Sequence, residues 1–220
     1  MFHNFEPRQF IIGLVVLIVS IALHEFGHAF SADRLGDATP RRDGRVTLWP
    51  DKHFEPFGFI MIVFTMLAGF GIGWGKPVMI NPRNFKNPRR DDIIVTACGP
   101  LMNLLIALVF GLILRMAIAA DNEALLHSLF GEFAQEFLIV NLALMFFNLI
   151  PIYPLDGSHI LRGLLPTNLA VPYSRFMMQW GPIVLLLVCF SGSGILSTVV
   201  GPAVSSSVSL ILGLPSGVVQ

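Results

Sequence analysis

The chain is 220 residues long, 54% hydrophobic and only 13% charged, with a mean hydropathy of +0.72. Soluble domains carry about a quarter charged residues, so these figures exclude a soluble globular fold and indicate a polytopic membrane protein. Basic and acidic residues balance at 14 each, which leaves no basic excess for nucleic acid.

A helix needs about 20 apolar residues to cross the hydrocarbon core. The first run, 10–30, is long enough. It reads as a retained helix and not a cleaved signal peptide: only Arg8 precedes it, and it contains His24, Glu25 and His28 where an h-region is apolar. A polar stretch follows at 31–56, where Arg45-Val46-Thr47-Leu48-Trp49 predicts a short β-strand. The run 57–75 is long but holds Gly58, Gly69, Gly71, Gly73 and Gly75. After a basic stretch at 76–92 come spans at 93–119 and 133–150, separated by an acidic loop, and two more at 172–191 and 194–213. Cys98 and Cys189 lie in apolar stretches and read as unpaired buried thiols.

Short loops rich in lysine and arginine stay on the cytoplasmic side. Placing 31–92 and 151–175 inside gathers 12 of the 14 basic residues on one face. Were 57–75 to cross once, its two basic flanks would lie on opposite faces. The run is therefore predicted to re-enter, its glycines giving an irregular backbone that is tolerated at depth only where protein or water satisfies it. The expected fold is an all-α helix bundle with about five spanning helices, a Gly-rich re-entrant segment and possible short β-strands. One membrane-embedded domain fills 1–220, with its core at about 10–165.

His24-Glu25-Phe26-Gly27-His28 is an HExxH sequence within the first span. Residues four apart share a helical face, so both imidazoles can reach one cation, while Glu25 stands near enough to polarise a water on it. Zinc suits two neutral imidazoles and an oxygen ligand, keeps a fourth position open, and lowers the pKa of bound water to about 7. A charged group at mid-membrane costs roughly 2.5–3.5 kcal/mol on insertion scales, so such residues usually face a cavity and do chemistry. Measured from the end of the apolar run, His28 and His24 fall on the order of 3 to 9 Å below the cytoplasmic interface.

A third ligand is offered by Asn148-Leu149-Ile150-Pro151-Ile152-Tyr153-Pro154-Leu155-Asp156-Gly157, where two prolines and a glycine break a helix just after the run 133–150. Asp156 there lies at the depth of the histidines; an interfacial turn aspartate is the alternative.

HExxH in one span, followed downstream by N-x-x-P-x-x-P-x-D-G, resembles the site-2 protease family of intramembrane metalloproteases. Gly99-Pro100-Leu101-Met102-Asn103 is similar to that family's central-helix motif, and Gly73-Trp74-Gly75-Lys76-Pro77-Val78 and Asn81-Pro82-Arg83 are similar to its compact bacterial members. The resemblance runs from about residue 10 to 165. It implies a three-helix catalytic core holding one Zn2+ on His24, His28 and Asp156, with Glu25 as general base. It also implies that Asn148, and less directly Asn103, hold the substrate strand. Ser158 stands where the family usually has a second glycine.

The expected activity is zinc-dependent endoproteolysis in or near a transmembrane helix of a membrane-protein substrate. It would take place in a bacterial inner membrane, with the lipid bilayer as the surrounding partner and the active site near the cytoplasmic face. An unwound substrate strand could pair with an irregular element near 41–75. The alternative is a membrane protein that binds or transports a divalent metal; that function needs polar groups along a path, whereas these cluster at one depth. His53 and His159 are set aside as structural, His3 and His127 as outside-loop residues, and Arg115 as reaching for the interface.

Overall fold

The computed structural model describes residues 6–68, 73–190 and 194–215. In chain order the helices are α1 (Pro7–Arg34), α2 (Thr39–Arg42), α3 (Pro56–Ala68), α4 (Pro88–Ala119), α5 (Glu123–Leu126), α6 (Leu129–Asn148), α7 (Asp156–Leu164), α8 (Thr167–Phe190) and α9 (Ile195–Leu212), with short 3-10 turns at Pro50–His53 and Pro82–Asn84. The all-α expectation is met, and there is no strand among the described residues.

The segment 45–49, expected as a strand, is irregular for a visible reason. The buried Arg45 guanidinium donates to the carbonyls of Lys52 and Lys76, and Thr47 O accepts from the His53 ring Nε2 at 2.8 Å. Side-chain-to-backbone bonds of this kind draw the segment around Arg45 and compete with a ladder.

Helix α4 packs against both α1 and α6, which also touch each other. Small residues allow the close approach, as is usual between membrane helices. A Cβ on Gly27 of α1 would stand 2.7 Å from Cys98 O of α4, so only glycine lets these two backbones meet. Between α4, α6 and α9 lies a cluster of Ala107, Leu114, Ala134, Leu138, Leu142, Met145 and Val208, beside which Phe110 and Phe137 stack at 4.4 Å. Leu101, Leu105, Val109, Leu112 and Met116 of α4 point outward and exposed. The polar residues Ser20, Asn103 and Asn141 are fully buried instead, the reverse of a soluble bundle.

Among the described residues three helices, α1, α4 and α6, are long and apolar enough to cross a membrane. Helix α8 has 24 residues with two internal prolines, and α9 has 18 residues. Both C-terminal helices expected from the sequence form.

Helix α3 has 13 residues, about 20 Å at 1.5 Å per residue, too short for a hydrocarbon core of about 30 Å. The chain then returns beside it. The Trp74 ring lies 5.6 Å from that of Phe57, its Nε1 donates to Glu55 Oε1 at 3.0 Å, and Lys76 N donates to His53 O at 2.7 Å. Residues 73–76 are thus back where α3 began, as re-entry requires. The reversal itself, with Gly69 and Gly71, lies outside the described residues.

The returning segment is fastened to the end of α1 by Asp37, which is fully buried. Its carboxylate accepts from Thr39 N at 3.1 Å, Thr39 Oγ1 at 2.6 Å, Asn81 N at 2.7 Å and Asn84 Nδ2 at 2.7 Å. Burial alone would raise its pKa, but these donors outweigh it and hold the carboxyl below its ordinary value. A depressed folded-state pKa contributes stability that is present above the unfolded value, about 3.9, and is lost as pH falls through the folded one. Asp37→Ala is therefore expected to cost about 2–3 kcal/mol at pH 7. In thermal unfolding of the detergent-solubilised protein, the gap from wild type should narrow below about pH 4; a gap unchanged by acid would refute the assignment.

Candidate active site

His24 and His28 stand one turn apart on the buried face of α1, their rings at 4.7 Å and nearly perpendicular. Each ring is held through its Nδ1 by α4. His24 Nδ1 lies 2.6 Å from Asn103 Oδ1, and His28 Nδ1 lies 2.8 Å from Val95 O. A backbone carbonyl can only accept, so His28 carries its hydrogen on Nδ1 and turns a bare Nε2 inward. The Asn103 oxygen dictates the same tautomer for His24. The helix that holds them continues to Arg34, so His28 and His24 lie roughly 9 and 15 Å along the axis from its end.

Asp156 is the first residue of α7, after the break at 149–155. Its Oδ2 lies 3.2 Å from His24 Nε2 and 3.4 Å from His28 Nε2, and the two Nε2 atoms are 3.1 Å apart. Oδ2 is buried and has no hydrogen-bond partner. Three lone pairs thus converge with no hydrogen assigned between them, an arrangement that repels itself unless a cation lies at its centre. The separations also suit zinc: bonds of about 2.0–2.1 Å in a tetrahedron give edges of roughly 3.3–3.4 Å. These three residues are the one group among the described residues that could hold a metal ion in this way.

Two further features place the carboxylate. At the far end of α7, Arg162 pairs with Asp92 of α4 at 2.5 Å. Arg89 of α4 donates to Gly163 O at 2.7 Å and also to Leu165 O. The Ser158 hydroxyl donates to Leu155 O at 2.8 Å, so serine is accommodated at the position where glycine is usual. Glu25 turns toward the returning segment, its Oε2 accepting from Val78 N at 3.2 Å.

The remaining candidates divide. Asn103 does not reach a substrate: it is fully buried, and its amide is spent on His24, Asn141 and Ser20. Its expected substrate-holding role is therefore corrected to one behind the metal site. Asn148 is half-buried at the end of α6 and bonds back to Leu144 O at 3.0 Å. His53 is buried away from the trio. His159 lies beside Tyr153, ring centroids 6.0 Å apart. His127 caps α5, and Arg115 donates to Ile211 O at 3.3 Å; His3 is outside the described residues. Sequence reasoning missed Asn141, Ser20, Asp92, Arg89 and Arg162. A polar residue within an apolar run, as at Asn141, is the signal that could have found the first.

A bundle with three helices of membrane-spanning length, in which two imidazoles and a carboxylate converge so that they could hold a metal ion, is compatible with a metallohydrolase. Comparison with known proteins makes this specific. The Peptidase family M50 pattern matches residues 12–122 and 115–191, and the chain belongs to that family. It is 36% identical to YwhC of Bacillus subtilis over 94% of this chain and 92% of that protein. It is 29% identical to Rip2 of Mycolicibacterium smegmatis over 81% of this chain and 66% of that one; both carry provisional names as zinc metalloproteases. Zinc metalloprotease MJ0392 of Methanocaldococcus jannaschii is 27% identical over 69% of this chain and 33% of its own length. No solved structure matches the chain at a comparable level. The protein is a zinc metalloprotease of the membrane, and Zn2+ is its cofactor.

Proposed function

We propose that this zinc metalloprotease is an intramembrane endopeptidase, hydrolysing a peptide bond in or near a transmembrane segment of another membrane protein. His24, His28 and Asp156 hold the Zn2+, and Glu25 is the general base. The observation that carries this reading is the convergence of His24 Nε2, His28 Nε2 and Asp156 Oδ2 within a bundle whose outer face is apolar. The charge pattern supports a site opening toward the cytoplasmic face, in a bacterial inner membrane. The metal-carrier alternative is not carried forward, because the relatives are named as metalloproteases.

When bound, Zn2+ supplies Lewis acidity and an activated water at neutral pH. The chain's own residues do the rest. Asn103 and Val95 O keep the Nε2 lone pairs of the two histidines aimed at the cation. Glu25 takes a proton on its carboxylate as the water oxygen attacks, then returns it to the leaving amine nitrogen. Its Oε2 accepts from Val78 N, and its second oxygen can take that proton. Asn148, at the mouth of the break before Asp156, is assigned to hold the substrate strand. The substrate must unwind locally, since an intact helix buries its carbonyls in i to i−4 bonds.

The test is to reconstitute the purified protein in liposomes with a single-span membrane protein and map the products by mass spectrometry. The expected cut lies within or at the edge of the apolar span, is abolished by a zinc chelator and returns with added Zn2+. Cuts confined to the water-exposed flanks would overturn the intramembrane reading while leaving the hydrolase itself intact.

A further inference from the structure

We infer that Asn141 of α6 is a positioning residue that sets the tautomer of His24, acting through Asn103, and thereby tunes the metal affinity of the site. The inference rests on His24 being a ligand.

The argument starts at groups whose polarity is fixed. Phe137 O can only accept, and Asn141 Nδ2 lies 2.8 Å from it. The same nitrogen donates to Ser20 Oγ at 2.8 Å. The Asn141 oxygen is thereby turned the other way, where it accepts from Asn103 Nδ2 at 2.8 Å. That in turn leaves the Asn103 oxygen facing His24 Nδ1 at 2.6 Å, so the ring hydrogen belongs on Nδ1 and Nε2 is bare. Asn103, Asn141 and Ser20 are all fully buried, so no solvent competes for these bonds.

Without Asn141, the Asn103 amide keeps one other anchor, the long 3.4 Å contact of its Nδ2 with Ser20 O. It can then flip and offer its NH2 to His24 Nδ1. That favours the tautomer with hydrogen on Nε2, at the point where the cation binds. His28 has no such weakness, because its Nδ1 partner is the Val95 backbone carbonyl. The two ligands are therefore held by different means, one by the main chain and one by a relay of amides across three helices.

Asn141→Leu is expected to weaken Zn2+ binding about tenfold in chelator competition, the lower end of what loss of a supporting partner costs. In 15N-histidine NMR of the metal-free protein, taken at alkaline pH where both rings are neutral, His24 should leave the Nδ1–H form while His28 keeps it. Leu142→Ala, on the same helix and fully buried, should destabilise the fold without either change. A carboxylate has no donor to present whichever way it turns. Asn103→Asp combined with Asn141→Leu should therefore restore the affinity. Where leucine prevents folding, Asn141→Ala takes its place. Wild-type affinity and an unchanged His24 tautomer in these Asn141 variants, with binding lost in His24→Ala, would overturn the relay alone. Wild-type affinity in His24→Ala would overturn the ligand assignment and the relay with it.

Discussion

Glu25→Gln is expected to slow proteolysis by about a thousandfold, within the span attributed to a positioned general base, while Zn2+ binding stays near wild type. Glutamine has the shape of glutamate and can still accept the Val78 N–H through its amide oxygen, so the returning segment should keep its place. None of the three converging ligand atoms belongs to residue 25. What the variant loses is the capacity to take a proton at neutral pH. Turnover of a reconstituted single-span substrate, set beside the zinc content of the same preparation, separates the two roles. Wild-type turnover would remove Glu25 from the chemistry; loss of zinc together with activity would make it part of the metal site instead.

The second large effect is expected at a residue with no functional group. A Cβ on Gly99 would press onto His28 Nε2 and Cε1 and come within 2.7 Å of His24 Cε1. Helix α4 cannot back away cheaply, because residues 98 and 99 also face Gly27, where the two backbones already touch. The rings would have to turn, and each is held through its Nδ1 by α4 itself. Gly99→Ala should therefore lower Zn2+ affinity by at least about 100-fold, the upper end for disturbed ligand support. Helical content by circular dichroism should remain, since alanine favours the helix over glycine. Wild-type metal content after chelator competition would show that both rings can move aside and still grip the cation, and that a methyl group at position 99 is harmless.

Much of this site was legible because its chemistry is local in sequence or punctuated by breakers. His24 and His28 are one turn apart, so their convergence follows from helix periodicity alone. Asp156 is announced by Pro151, Pro154 and Gly157, and re-entry by the two basic flanks of a glycine-rich run. Contacts between helices carry no comparable mark. Asn103 sits in a recognisable motif, yet its partner was His24 and not a substrate, since which way a helix faces is decided by tertiary packing. Asn141 shows only as one polar residue in an apolar run. The Arg45 segment has strand-like residues but buries a guanidinium that claims the neighbouring carbonyls, and pairwise propensity contains no such term.

Helix α4 grips the carriers of all three proposed ligands: one imidazole through Asn103, the other through Val95 O, and α7 through Asp92 and Arg89. A bilayer that thins or thickens makes embedded helices lean, but here the leaning would swing nitrogens and oxygen as a single body. The three proposed ligand atoms thus keep their mutual spacing in lipids of different depth, and what changes with the membrane is how far they sit from the water that hydrolysis consumes.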